Sequence, residues 1–241
     1  MQIYSKIDIG KVRHSNQDAY FAVLLDDGSA FVVVCDGMGG AKAGNVASEA
    51  AIKVISEYVL RSYSPSMDDE AISNMLRGAV ASANIDVYDL ALKNSEYSGM
   101  GTTVVTALIR EKFAVVCHAG DSRAYLINKK LVQLTRDHSM VQNLVESGKL
   151  TMEEAKVHPR KNVITRALGA EENIFCDVSV VDIKKGDVLL FCTDGLSNFV
   201  EAKELHNIFK TNDINNVPSV LIDAANDNGG GDNITVVTVA V

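Results

Sequence analysis

The sequence predicts a layered α+β fold, and three observations predict it. Short runs rich in Val, Ile and Phe recur along the chain. Brief polar joints such as Asp26-Asp27-Gly28-Ser29, Arg110-Glu111-Lys112 and Asn128-Lys129-Lys130 separate neighbouring runs, which suits antiparallel hairpins. Stretches with helical apolar spacing come in pairs between and after the strand blocks. Two groups of strands with paired helices imply sheets packed together and helices outside.

The elements follow in order. Strands are expected at residues 3–9, 19–25 and 30–35. Two helices come next. The first covers "GNVASEAAIKVISEYVL", residues 44–60, and the second covers residues 68–93, with Asp68 or Asp69 as its cap. Four strands are expected at residues 103–109, 113–119, 124–127 and 131–134. A charged excursion with short helices occupies residues 137–169, and strands resume at 176–182 and 188–193. Helices near 201–209 and 217–226 precede a last strand at 235–241, and Pro218 is tolerated in a first helical turn. No repeat or linker divides the 241 residues, so one domain spanning 1–241 is expected.

Composition narrows the function. A formal charge of -8 disfavours a general nucleic-acid or anionic-membrane surface and suits carboxylates gathered around cations. No apolar run approaches the ~18 residues of a membrane span, and residues 1–18 lack a basic-then-apolar leader, so the cytoplasm is expected. Cys35, Cys117, Cys176 and Cys192 form no CxxC pair and read as buried free thiols. With no heptad or apolar stripe, the expected state is a monomer.

The chemistry is concentrated in one recurring punctuation: an Asp beside Gly or Asn where an apolar strand ends or begins. It occurs as "VVVCDGMGG", "CHAGDSRAY", "LLFCTDGLS" and "GGGDNITVVTVAV". One Asp-Gly turn needs no function, because both residues suit turn geometry. Four can meet on one rim of an antiparallel sandwich, where they would repel one another unless cations neutralised them. Asp oxygens and backbone carbonyls are hard ligands, matched to Mg²⁺ or Mn²⁺ rather than to zinc or copper. The glycine loop after Asp36 lacks the Walker and dinucleotide patterns, so Asp36 is expected to hold metals, and the metals to hold phosphate.

The ordered series "GKVRHSNQDAYF", "VVCDGMGGAKAGNVAS", "GMGTTVVTALI", "CHAGDSRAYLI", "LTRDHSMVQNLVESGKL", "RALG", "GDVLLFCTDGLSNFV" and "GGGDNITVVTV" covers nearly the whole chain. In this it resembles the metal-dependent PPM (type 2C) Ser/Thr protein phosphatases in their compact bacterial form. The resemblance implies a four-layer α-β-β-α fold: a central antiparallel β-sandwich between helix pairs, with a small flap at about residues 138–168. It implies hydrolysis of phosphoserine and phosphothreonine by direct attack of a hydroxide bridging two Mg²⁺ or Mn²⁺ ions, with a third ion possible. Asp36 would bridge the ions and Gly37 would lend its carbonyl. Asp194 and Asp232 would complete the first site, Asp18 would act near the second, and Asp121 would serve the third. Arg13 would grip the substrate phosphate, which its planar, permanently charged fork suits. Phosphoproteins made by an opposing Ser/Thr kinase are the implied substrates.

The match departs at the loop. Relatives carry a histidine, proposed to protonate the leaving oxygen, where this chain has Met38 or Ala41. Some carry Glu where this chain has Gln17. Lys42, next to Ala41, and His14, between Arg13 and Asp18, are set down as substrate-rim candidates. Two other readings stay open: a weak or inactive phosphoprotein-binding module, and a cysteine-dependent phosphatase, because "CHAGDSR" places Cys117 and Arg123 at C-x5-R spacing.

Overall fold

The computed structural model describes residues 1–241 apart from the side chains of residues 40–42. Two antiparallel sheets face each other. One has the order β1 (Gln2–Asp8), β11 (Ile234–Ala240), β10 (Val188–Cys192), β7 (Arg123–Ile127) and β8 (Leu131–Gln133). The other has the order β2 (Asp18–Leu24), β3 (Ala30–Met38), β5 (Val104–Ile109), β6 (Phe113–Ala119) and β9 (Asp177–Asp182), with the two-residue β4 (Gly101–Thr102) on the end of β3.

The apolar runs are continuous because these strands are buried on both faces. Along β3, Ala30, Val32 and Val34 pack into the layer between the sheets with Phe191 and Val237. Phe31, Val33 and Cys35 point the other way, onto Ile55 and Leu76 of the first helix pair. That pair is α1 (Gly40–Ser62) and α2 (Asp69–Lys93). Asp68 caps α2 by accepting the Ala71 N–H at 2.8 Å, as its position predicts. On the opposite side, α5 (Asp194–Ser197), α6 (Ala202–Thr211) and α7 (Val217–Asp227, with Pro218 in its first turn) cover the first sheet through Leu196, Leu205 and Leu221. The α-β-β-α layering is that expected.

Two local differences and one expected feature bear on the site. The strand expected to end at residue 35 runs on to Met38, because Gly37 pairs with Thr102 and Met38 with Gly101. The Asp194 turn is a single helical turn, α5. The excursion between β8 and β9 contains α3 (Met140–Glu146) and α4 (Met152–Lys156), the latter opened by a Thr151–Glu154 capping box. Its neck is held by backbone bonds from Met140 N–H to Val163 O (2.8 Å) and from Thr165 N–H to His138 O (2.7 Å).

Candidate active site

Antiparallel pairing brings the acidic punctuation to one rim. Asp18 at the start of β2 lies directly opposite Asp36 near the end of β3. Asp194 begins α5 just beyond β10, Asp232 lies two residues before β11, and Asp121 sits in the turn between β6 and β7. Asp36, Asp121, Asp194 and Asp232 line one cleft of about 740 Å³. Asp18 is buried behind it.

Hydroxyl groups fix these acids. The Thr193 and Thr235 hydroxyls both donate to Asp18 Oδ2, at 2.8 and 2.7 Å, which ties the second sheet to the first. Asp36 is clamped through its backbone. Its N–H donates to Thr103 Oγ1 at 3.0 Å, and its carbonyl accepts from Thr102 Oγ1 and Thr103 N–H, both at 2.9 Å. Thr103 Oγ1 also meets Ser122 Oγ at 2.7 Å, beside Asp121. Asn233 fastens the loop that carries Arg13. It accepts Gln17 N–H at 2.8 Å and donates to the carbonyls of Ile9 (2.9 Å) and Ser15 (3.0 Å). Gly37 follows from crowding, since a Cβ there would collide with the Gly44 carbonyl.

The Thr103 clamp carries a stability prediction. Thr103→Val keeps the shape but strands the Asp36 N–H and one Ser122 contact. The urea midpoint should fall by the equivalent of about 1–3 kcal/mol, and Thr103→Ser should restore most of it. Equal midpoints for the Val and Ser variants would contradict the clamp.

The electrostatics identify what the rim suits. Burial raises the Asp36 carboxyl well above the usual carboxylate range, and Asp18, Asp194, Asp121 and Asp232 raise it further. Burial lifts Asp18 to about 7 although Thr235 and Thr193 oppose it by hydrogen bonding. Burial and then Asp194 take Asp121 to about 7, and burial and then Asp232 take Asp194 to about 6. Asp18 Oδ1 and Asp194 Oδ1 are buried without a hydrogen-bond partner among the described residues. Mutually repelling hard oxygen donors, two of them unpartnered, fit divalent Mg²⁺ or Mn²⁺, whose charge reverses the sign of these interactions.

His118, His138 and Asp177 also lie within 4.8 Å of one another, but they do not suit a cation. His138 Nδ1 accepts the Gly120 N–H at 3.1 Å, so its proton sits on Nε2. Nε2 in turn faces Asp177 Oδ2 at 3.2 Å and the Arg166 guanidinium at 3.1 Å. A protonated ring nitrogen and a guanidinium already occupy the space.

The rim residues are distributed unevenly. Arg13 is half-exposed in the cleft wall, and its Nη2 donates to Asp232 Oδ2 at 2.7 Å. His14 is exposed beside it and lines the cleft, as does Met38. The Ala41 and Lys42 side chains lie outside the described residues. Asn162 and Ile164 of the excursion also line the cleft, and the sequence offered no periodicity or motif to find them. The roles of Thr193 and Asn233 have no such signal either, although Thr193 adjoins Asp194 and Asn233 adjoins Asp232.

The C-x5-R reading fails. Cys117 is fully buried on the helix-facing side of β6, and its thiol is pushed well up by its contact with Cys176 and by burial. Arg123 stands in the other sheet and grips Asp137 with Nε (2.9 Å) and Nη2 (2.6 Å), so the two residues form no phosphate cradle. The expectation of four buried thiols also needs correction, because Cys176 is only partly buried.

Comparison with known proteins agrees with this geometry. The family profile described as Protein phosphatase 2C matches residues 11–218. The chain is 39% identical over 236 residues to the serine/threonine phosphatase stp of Listeria monocytogenes, covering 97% of this chain and 93% of that protein. The crystal structure of the serine/threonine phosphatase Stp1 from Staphylococcus aureus superposes with a TM-score of 0.93 at 35% identity, covering 100% of this chain and 94% of that one. The catalytic domain of the serine/threonine protein phosphatase PstP, solved in complex with two manganese ions, superposes with a TM-score of 0.86 at 30% identity over 98% and 96% of the two chains. With the family profile spanning most of its length and the acidic rim of the sandwich in place, this chain belongs to the protein phosphatase 2C family.

Proposed function

We propose that this metal-dependent phosphoprotein phosphatase holds two divalent cations on its acidic rim, with Asp36 shared between them. Asp194 and Asp232 complete one position, and the Gly37 carbonyl with Asp18 serves the other. Asp121, beside Asp194, is placed to take a third ion. The observation that carries this reading is the buried Asp36 carboxyl, surrounded by the charges of Asp18, Asp194, Asp121 and Asp232. The two manganese ions of the PstP complex support the count. When bound, such cations acidify water for attack on phosphorus and polarise the phosphoryl oxygens.

The chain's own residues supply the rest. Thr102 and Thr103 hold the Asp36 backbone, and Thr193 and Thr235 orient Asp18, so little reorganisation is needed at the moment of reaction. Arg13 is tethered at the rim through one Nη2 contact, which leaves donors of its fork for phosphate oxygens. His14 and Lys42 belong to the edge that meets the phosphopeptide. The enzyme acts as a monomeric single domain over residues 1–241, in the cytoplasm, on proteins phosphorylated by a Ser/Thr kinase. No helix among the described residues is long and apolar enough to cross a membrane.

The test is hydrolysis of an aryl phosphate and of a phosphothreonine peptide with Mn²⁺, with EDTA, and in the Cys117→Ser and Asp36→Asn variants. Activity should need the metal and Asp36 and should survive Cys117→Ser. Hydrolysis that persists in EDTA would overturn the reading. Arg13→Ala should lower kcat/KM for the peptide by about a hundredfold, with Arg13→Lys recovering only part. An unchanged value for Arg13→Ala would remove Arg13 from phosphate binding.

A further inference from the structure

On the far side of β6 from the first sheet, one cysteine of β6 and one just before β9 pack into the cluster beneath α2. Cys117 is paired with Val178 across the β6–β9 ladder, and Cys176 lies two residues from Val178 on the same face. Both side chains belong to the apolar cluster under the first helix pair. The two thiols lie close enough for each to shift the titration of the other. Cys117 is sealed at 0% exposure, whereas Cys176, immediately before β9, is partly exposed. Arg77 of α2 reaches over this pair, its Nη1 donating to the Cys176 carbonyl at 3.4 Å. An accessible thiol with a cation above it and a second thiol in contact is the arrangement of a reactive cysteine with its resolving partner.

We propose that Cys117 and Cys176 form a peroxide-reactive dithiol that closes to an intramolecular disulfide, a modification site separate from the carboxylate cleft. The two thiols have different roles. The neighbouring Cys117 draws Cys176 down to about 7 against its burial, with help from the Arg77 charge, while the neighbouring Cys176 and burial push Cys117 well up. Cys176, the partly exposed thiol beside Arg77, is the nucleophile, and the sealed Cys117 is the resolving thiol. The Cys176 thiolate attacks one oxygen of hydrogen peroxide, the O–O bond breaks, and hydroxide leaves to be protonated as water. The Cys117 sulfur then attacks the sulfenic sulfur of Cys176. An S–S bond forms, the S–O bond breaks, and the Cys117 proton leaves with the oxygen as a second water. Two thiols are oxidised and one peroxide is reduced to two waters. Closure brings the sulfurs to about 2.05 Å across a diagonal of the β6–β9 ladder.

In the experiment, the magnesium-loaded full chain is exposed to hydrogen peroxide at pH 7. It is then unfolded in iodoacetamide and digested without reductant for mass spectrometry. A linked Cys117–Cys176 peptide pair is expected, with Cys35 and Cys192 recovered alkylated and the link reversed by dithiothreitol. Cys176→Ser should abolish the link and slow total thiol loss about tenfold. Cys117→Ala should leave Cys176 as a sulfenic acid that dimedone traps. The proposal is overturned if Cys176 oxidises no faster than Cys35 and Cys192, or if the linked partner is Cys176 of a second molecule. The wild-type cross-link decides the matter even if a variant fails to fold.

Discussion

Asp36→Asn should lower phosphatase turnover by at least about a thousandfold and at the same time raise the melting temperature of the metal-free chain. The loss follows from the loss of cation binding, because Asp36 is the one acid facing all the others, and the cations carry the electrostatic stabilisation of the reaction. The gain follows from burial. Without metal, Asp36 is held above the ordinary carboxylate range by desolvation and four neighbouring acids. A neutral amide of nearly the same shape removes that penalty. A rise of about 5 °C in the absence of metal is expected for a chain of this size. The wild-type protein should gain roughly 5–10 °C on saturating Mn²⁺, and the variant should gain almost nothing. Scanning fluorimetry with and without Mn²⁺ measures both quantities. A variant that still responds to Mn²⁺ as the wild type does would show that the cations bind elsewhere.

The second large effect is a pH dependence of opposite sign to that of most proteins. In the metal-free chain, Asp18 and Asp121 titrate near 7 and Asp194 near 6, against 3.8 for an unperturbed Asp. The folded state therefore binds more protons than the unfolded state across this window. The stability these acids confer is complete below about pH 4 and is lost as the pH rises through their folded values. His118 and His138 are held below the usual histidine range by burial, and they act in the opposite direction below about pH 6.5. The clean window is pH 6.5–8, where the metal-free melting temperature should fall by about 5 °C. Mn²⁺ should flatten that slope, because the ionised carboxylates are its ligands. A metal-free melting temperature that stays level from pH 6.5 to 8 would mean that the acids are not mutually crowded as described.

Much of this arrangement was legible because local chemistry dictated it. Asp68 or Asp69 reads as a cap because a carboxylate there meets orphan amides, and Asp68 is the one that caps α2. The runs of β3, β5 and β6 read as strands because burial on both faces leaves no polar alternation. The four acidic turns read as a possible rim because each stands at an apolar strand end. What escaped is set by contacts distant in sequence. β4 exists only because Gly37 and Met38 continue β3 far enough to pair with it. Thr193 and Thr235 meet Asp18 across separations of 175 and 217 residues. Asn162 and Ile164 reach the cleft through the folding of the excursion, which no periodicity encodes. The Cys117–Arg123 spacing carries no cradle for a related reason. Spacing says nothing about the face of a strand, and the two residues lie in different sheets.

The central claim is that the rim acids hold the cations through Asp36, and an anomalous-difference map from a Mn²⁺-soaked crystal tests it most directly. The account predicts two strong manganese peaks that share the Asp36 carboxylate, one reached by Asp194 and Asp232 and the other on the side of Gly37 and Asp18. A map from active enzyme with no manganese peak in contact with Asp36 would contradict it.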